Sequence, residues 1–145
     1  MNYIINTRTN YIMYDGKKTI INENGIDHFY KGDYIENILE NSCIYYGSTL
    51  QGRMKAIRSL INSRYKLPLL ISERNNIILF NIKNKKELIW FNFNQIKDYS
   101  KLGGYLSIIF MDNSSKRFVI KWSVFNNQIL KSSRLQLIYL SRYKN

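Results

Sequence analysis

The stretch Ser42–Leu60, SCIYYGSTLQGRMKAIRSL, decides how the rest of the chain is read. A bulky apolar run gives way to a Gly47-Ser48-Thr49 turn, and apolar residues then recur at helical spacing. Ser48 and Gln51 stand as in a capping box, where a hydroxyl accepts from the amide three residues on and that residue's side chain reaches back. The spacing predicts a helix over residues 49–62. At 100° per residue, Leu50, Met54, Ile57 and Ile61 share a stripe, with Lys55 and Arg58 on one flank and Arg53 on the other. One side of this helix is core and its rims are cationic.

The sequence on either side has the period of strands. Upstream, residues 11–14 and 19–21 flank Asp15-Gly16 and predict a hairpin, since Asp-Gly tolerates the positive φ of a tight turn. Asn24-Gly25 marks a second turn, and residues 33–40, DYIENILE, predict a short helix with its acids in water. Downstream of Lys66, residues 67–72, 76–82, 88–93, 105–111 and 117–122 are strand-length and separated by turn formers, an antiparallel meander. In the last of these Phe118, Ile120 and Trp122 alternate with Arg117, Val119 and Lys121, the pattern of a sheet with one wet, basic face. Residues 123–143 predict a C-terminal helix packed through Phe125, Ile129, Tyr139, Leu140 and Tyr143. Leu130 and Leu137 lie off that stripe and read either as a second buried contact, with another subunit, or as surface leucines. The expected fold is α+β: one domain over residues 1–145, an antiparallel β-sheet meander with a central short helix and a C-terminal helix packed on the sheet.

Charge divides the chain. Residues 1–50 carry four bases and six acids, a net of −2, and the remaining 95 carry eighteen bases and four acids, a net of +14. An AT-rich coding sequence would enrich lysine generally. It would not leave the first third of the chain without net positive charge, whereas contact with a polyanion accounts for the asymmetry. A single cysteine excludes an internal disulfide and fits a reducing compartment, and no apolar run reaches the roughly 18 residues of a membrane span. Nor does the N-terminus resemble a signal peptide, so the expected location is cytoplasmic.

Catalytic parts are missing. His28 is the only histidine and has no relay beside it, Cys43 lies in an apolar run, and one of each does not complete a zinc site without carboxylates. Neither nucleotide-binding glycine motif is present. The chain therefore reads as a non-enzyme without cofactor, metal or small-molecule substrate. A phosphate-binding surface needs cations, hydroxyls and free amides together, and Ser48 and Thr49 at a helix start, with Arg53, Lys55, Arg58, Arg64 and Lys66 following, supply all three. The wider basic set is Arg74, Lys83, Lys85, Lys86, Lys116, Arg117 and Lys121. Two other readings fit a basic meander with a terminal helix: a pleckstrin-homology-like module on anionic lipid, and a protein-interaction domain kept in solution by its charge.

Residues 42–53, SCIYYGSTLQGR, resemble the S-C-x-aromatic-aromatic-G-S-S-x-x-G-R stretch of the competence transcription factor (ComK) family of low-GC Gram-positive bacteria. Later features keep the family's order. Lys66-Leu67-Pro68-Leu69 is similar to its K-x-P-I and residues 76–80, NIILF, to its N-Q-I-F-L-F strand; Trp90 matches a tryptophan, and residues 123–128, SVFNNQ, resemble S-x-x-S-F-E-N-Q. The likeness runs from about Ser42 to Leu135 and is loose before Ser42. It implies an activator of DNA-uptake genes, at the bacterial nucleoid, that binds AT-rich double-stranded DNA as paired dimers and reads it largely from the minor groove. It also implies a proteolytic adaptor as a further partner, acting through a C-terminal tail that is not evident after the last helix here. Arg53, Lys55 and Arg58 flank an apolar stripe and do not form a fully polar helix face, so no major-groove reading helix is expected.

Overall fold

The computed structural model describes residues 1–61 and 66–143, the last by its backbone. β1 (Thr9–Tyr14) and β2 (Lys18–Glu23) form the hairpin that Asp15-Gly16 predicts. Gly16 takes φ +98°, and the Asp15 carboxylate accepts from the amides of Lys17 and Lys18. Asn24 and Gly25, both at positive φ, lead into β3 (Ile26–Lys31), a strand the sequence reading does not assign. Two helices follow, α1 (Ile35–Tyr45) and α2 (Leu50–Leu60), and then the meander: β4 (Leu69–Ser72), β5 (Ile77–Asn84), β6 (Glu87–Asn92), β7 (Ile96–Leu102), β8 (Tyr105–Phe110) and β9 (Ser115–Phe118). α3 (Trp122–Tyr143) closes the chain.

The strands form two antiparallel sheets, one of six in the order β3-β2-β1-β6-β5-β4 and one of three in the order β7-β8-β9. Register gives the large sheet two chemically different faces, because successive side chains in a strand point oppositely. Tyr11 stands opposite Phe91, and Phe91 opposite Phe80, so one face is aromatic. It packs against Leu106, Ile108 and Phe110 of the small sheet and Phe125 of α3. Ile12 stands opposite both Ile21 and Trp90, and that aliphatic face lies beneath Ile38 and Cys43 of α1 and Ile57 of α2. Phe91 is the hub of the aromatic layer, edge-on to Phe118 at 5.2 Å and to Phe125 at 5.3 Å, within the spacing that such pairs prefer.

A polar network pins one sheet to the other. Asp27 of β3 accepts from Tyr11 at 3.0 Å, Asn22 at 2.7 Å and Lys116 of β9 at 2.8 Å. Asn10 donates to Asn22 and to Asp112 in the β8–β9 turn.

Two expectations need correction. β9 ends at Phe118 and α3 starts at Trp122, so residues 119–121 are a linker and the alternation through Trp122 is not a strand. On α3 the buried line is Phe125, Gln128, Ser132 and Leu135, while Leu140 is exposed; Tyr143 of the expected stripe lies outside the described side chains. The off-stripe Leu130 and Leu137 lie on the surface of this chain, 59% and 65% exposed.

Candidate nucleic-acid interface

The start of α2 is capped from within. The N-cap is Thr49, whose hydroxyl accepts from the Gly52 amide at 3.0 Å, not Ser48 with Gln51. The amide of Leu50 donates to the Glu40 carboxylate of α1 at 3.2 Å. A carboxylate of the protein thus already answers the partial positive charge that this helix end would offer a phosphate. Ser48 is half-buried, and Thr49 is exposed.

α2 is also turned relative to the expected stripe. Ile57 and Ile61 are buried and Leu50 half-buried, but Met54 faces outward and Arg53 inward. The Arg53 side chain is only 12% exposed and forms an ion pair with Glu73 in the β4–β5 turn. The charges of both partners are felt at the Tyr139 hydroxyl of α3, and that of Arg53 also at the Cys43 thiol of α1. Arg53 therefore sits where three helices and a strand turn meet, not on a cationic rim. Its residue type and spacing gave no signal of this, because the partner lies 20 residues downstream. Lys55 and Arg58 are exposed as expected and make no ion pair among the described residues. Arg64 lies outside the described residues.

Lys66 belongs to a different surface. It helps line an open cleft of about 960 Å³ between the end of β5, the tip of the β7–β8 hairpin and the linker from β9 to α3. Lys83 comes to this cleft from β5, Lys101 from β7 and Lys121 from the linker, all three exposed. No carboxylate is found among the described residues that line it. Tyr105 and Trp122, 50% and 43% exposed, add aromatic surface to its walls. The Asn84 side-chain amide donates to the Val119 carbonyl at 2.6 Å and fixes the linker to the end of β5. Of the wider basic set Lys116 is engaged with Asp27.

Lys101 and the hairpin tip are functional candidates that the sequence reading missed. The alternation in residues 96–102 is weak, and a strand there brings Lys101 opposite Leu106 at the cleft edge. A Gly-Gly pair between two apolar residues was the available signal.

The chain belongs to the ComK protein family, whose sequence model matches residues 1–144. That family consists of competence-related transcription factors and not of enzymes. Neither a curated protein nor a solved structure matches the chain. Among the described residues no helix is long and apolar enough to cross a membrane.

Proposed function

We propose that this protein is a DNA-binding activator of DNA-uptake genes, acting in the bacterial cytoplasm on AT-rich duplex promoters, mainly through the minor groove and as a dimer or higher oligomer. The observation that carries the reading is the convergence of Lys66, Lys83, Lys101 and Lys121, from four separate parts of the chain, on one cleft with no carboxylate among its described lining residues. Cations gathered this way face the regularly spaced phosphates of a polyanion, and three phosphates neutralised by the exposed Lys83, Lys101 and Lys121 give a slope of log affinity against log salt of about −2.7. Lys55 and Arg58 extend the contact as exposed cations on α2. The minor-groove reading has a physical basis in A·T tracts, whose narrow groove deepens the negative potential and draws in basic side chains. No exposed, fully polar helix suited to the major groove is present among the described residues, since α1, α2 and α3 each carry buried apolar residues.

Gel shift on AT-rich and GC-rich duplexes, with and without netropsin as a minor-groove competitor, tests this reading. Preference for the AT-rich duplex and loss of the complex with netropsin are expected. Equal binding to both duplexes, unaffected by netropsin, would leave only a nonspecific polycation.

A further inference from the structure

The tip of the β7–β8 hairpin has a composition that the protein's own packing does not explain. Leu102 and Tyr105 are a cross-strand pair closing the turn, and each is about half exposed, at 49% and 50%. Between them Gly103 takes φ +60°, the positive angle that a two-residue hairpin turn needs at its first position. Gly104 is different. It does not adopt a positive φ, and a Cβ built on it meets no atom within 4 Å. Neither backbone conformation nor internal packing requires a glycine at 104, so the bare backbone there leaves room for something outside the chain.

What lies beside the tip identifies that something by charge. Lys101 precedes it, and Lys83 and Lys121 line the cleft below it, with no carboxylate among the described lining residues. An apolar pair at the end of a narrow ribbon, set among cations, matches the way apolar wedges enter a minor groove between base pairs while flanking bases hold phosphates. We infer that the β7–β8 tip is the part of this protein that touches bases. Leu102 and Tyr105 press on one A·T step from the minor-groove side and partly unstack it, and Lys83, Lys101 and Lys121 hold the phosphates around it. This inference rests on the DNA-binding reading above and adds to it the contacting element.

The test uses an AT-rich duplex with 2-aminopurine replacing adenine at successive positions, since this base brightens when it unstacks. Wild-type protein should raise the fluorescence at one or two adjacent steps. The L102S/Y105S variant, altered only at exposed side chains, should lose that rise and bind about ten- to a hundredfold more weakly. K101Q should keep the rise and make the salt slope shallower by about 0.9. Gly104→Val should keep the melting temperature and weaken binding by steric exclusion. If wild type binds the duplex, but brightens no position and loses no affinity in L102S/Y105S, the tip is not the base-contacting element and DNA binding itself stands. A rise on single strands alone would also overturn the wedge. Failure of wild type to bind any duplex would instead remove the DNA-binding reading beneath it.

Discussion

Arg53 of α2 donates through Nη1 to Oε1 of Glu73 in the β4–β5 turn, and the pair is more than half shielded from water on both sides. The arginine that closes the family-like Gly-Arg motif therefore joins secondary-structure elements. Removing it leaves a partly desolvated carboxylate with its charge uncompensated by the guanidinium, the costly half of a broken ion pair. Because about a third of Glu73 is exposed, solvent screening reduces that cost.

Arg53→Ala is accordingly expected to destabilise the fold by about 1–3 kcal/mol. Thermal melting should show a drop of several degrees, while DNA affinity measured well below the melting temperature changes less than in Lys101→Gln or Lys121→Gln. Arg53→Lys keeps the charge without the planar fork and should fall between. An unchanged melting temperature with lost affinity would return Arg53 to the contact surface.

Cys43 makes a second prediction about the same junction. Its side chain is fully buried, and burial pushes the thiol up to about 11, with Glu40 adding to the rise and Arg53 opposing it. The reactive species is the thiolate, so at pH 8 a native Cys43 should be inert to a thiol reagent. Labelling should proceed at the rate of unfolding and accelerate in urea. Rapid stoichiometric labelling of the folded protein would contradict this packing.

How much of this was legible in the sequence depends on where the deciding partner lies. Asp15-Gly16 and Asn24-Gly25 announced their turns because φ preference is local, and α2 was found within two residues at each end because its apolar spacing is local too. The rotation of α2 that buries Arg53 was not legible, since Glu73 exists as a partner only after β4 has folded back. The apolar spacing predicts the span of α3 but not its inner face, as Gln128 and Ser132 occupy buried positions that a hydrophobic pattern assigns to solvent. β7 leaves no strand pattern in the sequence because its outer residues, Lys97 to Leu102, are mostly exposed and lack the alternation of a half-buried strand. The cleft could not be read at all, as its lysines come from four separate parts of the chain.

Asp27 sets an acid limit on stability. Burial alone would raise its carboxyl, but hydrogen bonds from Lys116, Asn22 and Tyr11 outweigh burial and hold it below its ordinary 3.8. A group depressed in the folded state binds its proton more readily when unfolded, so its contribution is present above the unfolded value and disappears as pH falls through the folded one. Urea midpoints should thus decline as pH drops below about 4. Asp27→Asn should be less stable at pH 7 and show a flatter acid limb. Parallel acid limbs in the two proteins would show that Asp27 does not couple the sheets.

Asn84 offers a test of the cleft that keeps the lysines intact. Its amide donates to the Val119 carbonyl, so Asn84→Leu and Asn84→Asp both remove that bond and should each cost about 0.5–1.5 kcal/mol of stability. Only the aspartate also brings a negative charge beside Lys83 and into a lining with no other carboxylate among its described residues. Two effects then separate by salt, because loss of a hydrogen bond is insensitive to ionic strength and charge repulsion between aspartate and phosphate is screened over about 10 Å at 0.1 M. Asn84→Leu should bind an AT-rich duplex slightly more weakly than wild type at every salt concentration. Asn84→Asp should bind much more weakly at 0.05 M, by the order of tenfold, and approach the leucine variant as salt rises. Titrating both variants by fluorescence anisotropy across salt checks this, and identical affinities at the lowest salt would mean that DNA does not pass over the cleft.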